Sequence, residues 1–311
     1  MTININIIQN FYNRLNSIGA QGRIVHAKHI PDLRADIRKY YEQNLIYPQL
    51  YEDYKAYFEF EPKVDFAKID SLFIVSIPVP QFEAKFHYKG KELILLIPPT
   101  YLYSTDIINQ MKNMLAEILK PKGFNYAYAQ LPQKTLAVRS GLAKYGRNNI
   151  SYVPGMGSFY RLVTFYTDVA IEQDNWYDLS MMELCKECSA CVRNCPTGAI
   201  PTDRFLLRAG KCLTFHNEQP GDVSFPNWIN PFWHNCLVGC LRCQKICPAN
   251  KKVKEWTEPG PNFSEKETEW LLNTYKLEDL PERLKEKLVK YDLGSYSEVF
   301  PRNLNVFLKN F

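Results

Sequence analysis

Apolar residues recur at helical spacing over residues 6–18, where Ile7, Ile8, Phe11, Leu15 and Ile18 share a face and Gly19 suits a C-cap. A second helix is expected after Pro31, carried by Leu33, Ile37 and Tyr41. The period then changes. Residues 71–77 and 92–97 are short, nearly continuous apolar runs closed by Pro78 and by Pro98 with Pro99, the pattern of buried strands. A helix capped by Ser104 or Thr105 follows and buries Ile107, Ile108, Met111, Leu115 and Ile118. A short strand is expected around 124–129, a helix from Gln133 to about Lys144, and another strand over 160–166. Such alternation of strands and helices over the first 180 residues indicates an α/β or α+β sandwich. In the tail, Ser264 and Glu267 form a capping box ahead of Trp270, and a further helix includes Leu284, Leu288 and Val289.

This pattern breaks down between Cys185 and Cys247, and all nine cysteines of the chain lie within those limits. Cys185, Cys188, Cys191 and Cys195, the last followed by Pro196, match C-x2-C-x2-C-x3-C-P, in which the fourth cysteine ligates the other of two iron–sulfur clusters. Cys240, Cys243 and Cys247, followed by Pro248, repeat its later half. Three thiolates two residues apart can wrap one cube of iron and sulfide, and the proline turns the chain away so that the fourth sulfur reaches its neighbour. One cluster is therefore read as Cys185, Cys188, Cys191 and Cys247, and the other as Cys195, Cys240 and Cys243 with one ligand missing. Cys212 and Cys236 compete for that place, since the regular register falls on Leu237; the loser is expected to be a small buried hydrophobe. Zinc fits less well, because its sites use separated cysteine pairs or a histidine pair. Disulfides fit least, with no secretory signal and enough chain for a core without them.

The 311 residues suggest two domains, or one large one with an insert, and 46% hydrophobic content supplies a core. The aromatic share, with 20 Tyr and 18 Phe, suits a large flat ligand or is a plain compositional bias. The net charge of +5 permits an anionic partner, and from Lys251 onward basic and acidic residues cancel, so the excess lies upstream. The start lacks the charged region and apolar core of a signal peptide, and no apolar run approaches the ~18 residues that span a bilayer. A cytoplasmic protein with no membrane association is expected. Two glycine-bearing loops remain, one over 139–149 with Gly141, Gly146, Asn148 and Asn149, the other over 154–158. Neither matches a Walker or dinucleotide fingerprint, and alone each reads as a turn.

Taken together, these residues resemble epoxyqueuosine reductase. The resemblance rests on the cysteine pattern, on Pro196, Thr197, Gly198 and Ala199, and on Gly239 with Gln244, Pro248 and Asn250 around the second run. It extends to Arg139, Ser140, Gly141, Leu142, Gly146, Arg147 and Asn148, followed by Gly157, Ser158 and Phe159, and covers roughly residues 70–250. It implies an α/β (α+β) fold: a nitroreductase-like cobalamin-binding sandwich over 1–180, a ferredoxin-like double [4Fe–4S] module over 181–250, and a short helical C-terminal segment over 251–311. By the same analogy Cys212 is the eighth ligand, and Gly141, Asn148, Ser151, Gly157, Ser158, Leu162 and Thr214 bind the cobalamin.

The implied activity is that of an oxidoreductase. Its clusters would pass electrons from an external ferredoxin- or flavodoxin-type donor to cobalt, for deoxygenation of a modified tRNA base or a similar substrate. The chain also departs from the family: the acidic proton donor falls at Ala127, and the Glu-Arg pair after it falls at Gln133 and Lys134. An alanine holds no proton, and Tyr126 and Tyr128 beside it suit strand packing. Two other functions stay open on the residues alone, an electron-transfer protein serving a corrinoid or flavin enzyme and a flavin-binding nitroreductase.

Overall fold

A computed structural model describes residues 2–308. Helix α1 (Thr2–Ser17) stops where Gly19 takes φ +68° and the Ala20 amide bonds back to the Leu15 carbonyl at 2.9 Å. There follow β1 (Gln21–His26), α2 (Ile30–Glu42) and α3 (Pro48–Tyr57), the two helices each with proline in the first turn. Next come β2 (Ser71–Pro78), and β3 (Gln81–Tyr88) joined to β4 (Lys91–Ile97) by a turn in which Lys89 and Gly90 both take positive φ. Helix α4 (Ser104–Leu119), β5 (Tyr126–Tyr128), α5 (Gln133–Arg139), the two-residue strands β6 (Lys144–Tyr145) and β7 (Ser151–Tyr152), and β8 (Tyr160–Thr167) complete the first 170 residues. Beyond them lie the short α6 (Ala190–Asn194), α7 (Leu213–Asn217) and α8 (Arg242–Lys245). The chain closes with β9 (Thr257–Phe263), α9 (Glu265–Asn273), α10 (Glu282–Lys290) and α11 (Phe300–Leu308).

Two compact units result, one from the residues up to Pro78 with Asp106–Cys188, the other from Val79–Thr105 with Ser189 onward. In the first, an antiparallel sheet runs β1-β2-β8-β5. Register places Phe73 opposite Phe165 and Val75 opposite Val163 on one face, where they pack with Phe11 and Leu15 of α1 and Met111 and Leu115 of α4. Leu72 pairs with Tyr166 and Ile74 with Thr164 on the opposite face. Because both faces are covered, β2 is buried along nearly its whole length, which explains the continuous apolar run.

In the second unit the sheet order is β4-β3-β9, with β3 and β9 parallel and a register shift between Glu83 and Lys85. Phe86 stacks on Phe263 at 4.9 Å between ring centres. The capping box forms as expected, Ser264 and Glu267 exchanging bonds, and Lys287 of α10 reaches Glu267. Asn303 of α11 donates to the carbonyls of Asn217 and Leu237 at 3.0 and 2.8 Å.

Several expectations shift. The helix from Gln133 ends at Arg139, not near Lys144, because Gly141 takes φ +72° and the Leu142 amide turns back to the Ala137 carbonyl. The tail is not purely helical, since it opens with β9 at a sheet edge. Residues 79–105, which the resemblance placed within a domain over 1–180, form the hairpin of β3 and β4 and belong by contacts to the second unit with β9, and the first unit runs on to Cys188. Ile18 and Val289, expected on buried faces, are exposed, one past the end of α1 and the other on the outer side of α10.

Candidate metal centre

The second unit gathers cysteines from three separate stretches. Cys195 ends α6, Cys212 stands just before α7, and Cys240 precedes α8. Burial pushes the Cys240 thiol up to about 12, and charge on Cys212 and on Cys195 adds to the rise, so the three sulfurs lie within each other's field. Burial likewise raises the Cys212 thiol, opposed by the neighbouring amides of Thr214 and Phe215 and the Thr214 hydroxyl. Coordination would hold such thiols deprotonated, and the same donors would then stabilise the bound thiolate.

Cys236 differs. It is fully buried, its backbone makes a bridge with Leu96, and the next amide, Leu237, bonds to the Leu96 carbonyl at 3.0 Å. Of the cysteines only Cys240 acts on its thiol, and burial is the main cause raising it. This is the packing of a small hydrophobe beside β4. The turn before Cys240 is equally fixed. Gly239 has φ +67°, and a Cβ there would meet the Tyr101 hydroxyl at 2.6 Å. That hydroxyl donates to the Glu218 carboxylate; burial raises the pKa of both groups. Helix α6 packs on α8, with Asn194 donating to the Arg242 carbonyl at 2.8 Å. Cys191 is buried within α6, Cys243 lies in α8, and Cys247 is half-buried at the next turn. Among the described residues, no three His, Cys, Asp or Glu side chains converge as ligands of a single ion do.

Cys185 and Cys188 close the first unit, Cys185 in a single 3₁₀ turn, Glu183–Lys186. Arg147 holds this turn, donating to the carbonyls of Cys185 and Cys188. Spacing alone gives Arg147 no task; the structure gives it this one. The loop that carries it is built for the purpose: Asn149 takes φ +62°, and buried Asn148 donates to the Tyr152 hydroxyl at 2.9 Å.

The other expected binding residues also lie in the first unit, Thr214 excepted. Ser151 is buried in β7 and accepts from the Tyr160 hydroxyl at 2.7 Å. Gly157 takes φ +57° in a tight turn bridged to Val153, and Ser158 after it is buried. Leu162 lies opposite Ser76 in β8, two residues before Thr164 on the same face. Gly141 is not open, since a Cβ there would strike the Tyr177 ring at 2.7 Å.

Ala127 pairs with Tyr166, on the face away from Phe165. Tyr126 and Tyr128 meet the Phe165 ring edge-on at 6.0 and 6.1 Å, the strand packing expected of them. Gln133 accepts from the Thr164 hydroxyl at 2.6 Å and so reaches the face that Ala127 shares. Tyr166 donates to the Glu59 carbonyl at 2.8 Å, and burial raises its phenol further. Glu59 belongs to the wall of a cleft of about 660 Å³ lined also by Arg34, Arg38, Tyr51, Tyr54, Lys55 and Phe58. No motif announced this cleft; the signal available was the interleaving of basic and aromatic residues over 34–63.

Residues 184–250 match the family described as the 4Fe-4S double cluster binding domain. The segment is therefore a double-cluster module. Among curated proteins, the chain is 31% identical to the epoxyqueuosine reductase of Prochlorococcus marinus (strain NATL2A) over 144 residues, 46% of this chain and 43% of that protein. It is 30% identical to the Escherichia coli (strain K12) enzyme over 168 residues, 54% and 41% of the two chains. These matches span less than half the length of either relative. In three dimensions the chain superposes on epoxyqueuosine reductase from Bacillus subtilis with a TM-score of 0.68 at 21% identity, covering 98% of this chain and 81% of that one. It superposes on an epoxyqueuosine reductase bound to an epoxyqueuosine-modified tRNA-Tyr stem loop with a TM-score of 0.64 at 19% identity, with the same coverage. The fold is thus shared with those reductases over nearly the whole chain.

Proposed function

We propose that this chain is a cobalamin-dependent iron–sulfur reductase of the epoxyqueuosine reductase type, acting on a modified base of tRNA. The observation that carries this reading is the two-run cysteine framework set in the fold of those reductases. Cys185, Cys188, Cys191 and Cys247 hold one [4Fe–4S] cluster. Cys195, Cys212, Cys240 and Cys243 hold the other, with Cys212 supported by its proximity to Cys195 and Cys240 and by the neighbouring donors.

The clusters supply single electrons, and cobalamin, when bound, supplies a low-valent metal able to draw an oxygen substituent from carbon. Small, buried or φ-permissive residues fit a corrin edge, so Asn148, Ser151, Gly157 and Ser158 would hold it, with the half-buried Leu162 of the adjoining strand beside them. Thr214 serves its neighbour Cys212 through the hydroxyl, and Gly141 lets Tyr177 lie close. On the face of Ala127 the proton-holding group is the Tyr166 phenol, which burial keeps neutral. The cleft beside it offers aromatic rings for base stacking, and its Arg34, Arg38 and Lys55 would meet a phosphate by exchanging their ion pairs with Glu61, Glu42 and Glu52.

The test is an anaerobic incubation of reconstituted protein with epoxyqueuosine-containing tRNA and a low-potential reductant. Mass spectrometry of the nucleosides should show loss of one oxygen from the modified base, dependent on added cobalamin. Full reduction of the clusters with no change in the base would overturn the assignment.

A further inference from the structure

Positive charge is locally dense beside the second cysteine run. Residues 242–254 include Arg242, Lys245, Lys251, Lys252 and Lys254 and no acidic residue. The stretch contains Cys247, the far ligand proposed for the first cluster, and Cys247 is flanked by exposed Ile246 and Pro248. Lys251 and Lys252 follow at the end of the next 3₁₀ turn and are exposed. Arg193 joins them from α6, which packs on α8, and is exposed as well. Among the described residues, Arg193, Lys251 and Lys252 have no ion-pair partner, whereas Lys245 and Lys254 are partly offset by Glu255 at 3.9 and 3.8 Å.

Exposed apolar residues flanked by cations, most of them without an ion-pair partner among the described residues, beside a proposed cluster ligand suit an electron-entry face. We infer that the surface formed by Arg193, Lys245, Ile246, Pro248, Lys251 and Lys252 docks an acidic one-electron carrier protein, of flavodoxin or ferredoxin type. The inference rests on the double-cluster reading and deepens it. In the step, the reduced carrier gives up one electron and the cluster held in part by Cys247 accepts it; no bond forms or breaks. RNA would also be drawn to positive charge, but the exposed apolar residues Ile246 and Pro248 beside the proposed ligand favour a protein partner. Opposite charges speed encounter, and salt removes that gain.

The experiment uses the full chain with its clusters assembled, reduced either by photoreduced deazaflavin or by an acidic flavodoxin hydroquinone, and followed by stopped-flow absorbance. The variants are Lys251→Glu with Lys252→Glu, Arg193→Glu alone, and Lys266→Glu on α9 as a control exposed elsewhere. Reduction of the unaltered chain by flavodoxin should slow steeply with added salt. The lysine pair variant should react at least about tenfold more slowly at low ionic strength and lose most of the salt dependence. Arg193→Glu should act in the same direction, while Lys266→Glu and the deazaflavin rates stay unchanged. Equal flavodoxin rates in the lysine variant and the parent would overturn the proposal. So would loss of binding to an unmodified tRNA transcript with flavodoxin reduction intact, which would assign the face to RNA. Absence of iron from the parent chain would instead remove the double-cluster reading itself.

Discussion

The four-stranded sheet of the first unit and the cysteine segment over residues 183–250 solve the same problem by different means. The sheet is closed on both faces by side chains: Phe11, Leu15, Met111 and Leu115 on one, Tyr166, Thr164 and their neighbours on the other. Its stability is hydrophobic and its elements are long. Over residues 183–250, by contrast, no described helix exceeds five residues, and no strand longer than an isolated bridge occurs. Helices so short do not persist on their own. What they share is a cysteine in or beside nearly every turn. In one region a core made of carbon fixes the backbone; in the other that task falls to the proposed cluster ligands and to carbonyl anchors such as Arg147 and Asn194.

The contrast can be broken most strongly by removing iron. Anaerobic chelation should abolish hydrogen-exchange protection over 183–250 while β2 and β8 keep theirs, since only the former depends on metal. Equal loss in both regions would show the two to be one cooperative structure. A sharper, smaller cut separates the two competing cysteines. Cys212→Ser should lower bound iron by about half, as one of two four-iron clusters fails, whereas Cys236→Ser should keep full iron and cost about 1–3 kcal/mol through a buried hydroxyl. The reverse pattern would exchange their roles.

A pH effect probes the packing behind the module. Burial, with the Arg302, Arg242 and His216 charges, lowers the His234 pKa from 6.5 to about 4. The unfolded chain thus takes up a proton near 6.5 that the folded chain refuses until about 4. Stability falls as pH drops through that window, by on the order of 3 kcal/mol, and His234→Gln should flatten the slope in chemical denaturation. The smallest effect belongs to the conventional helices: Ser264→Ala removes the cap of α9 and should cost about 1 kcal/mol.

What the amino-acid order revealed follows the same division. Strand β2 was legible because both its faces are buried, and α1 and α4 because each lays one stripe on the sheet. Strand β1 escaped notice because an edge strand with Gln21, Gly22 and Arg23 carries few apolar positions. Strand β3 did alternate, with Phe82, Ala84 and Phe86 buried between polar residues, but its charged positions masked the signal. Pro259, Gly260 and Pro261 read as a turn, yet β9 tolerates them at a sheet edge opposite a register shift. The double-cluster segment was legible from cysteine spacing alone, whereas the proposal of Cys212 as a ligand rests on a family analogy and on the field of the neighbouring thiols. The face of Ala127 and its link to the cleft at Glu59 were not legible, because Tyr166 joins them across 39 and 107 positions.

The account is tested most directly by metal and corrinoid analysis of protein purified without oxygen. It predicts about eight irons and eight sulfides per chain, with one cobalamin taken up in a form whose visible spectrum shows the lower base released. About eight irons with no corrinoid bound would contradict the reductase reading, and zinc in place of iron would contradict the electron pathway on which it depends.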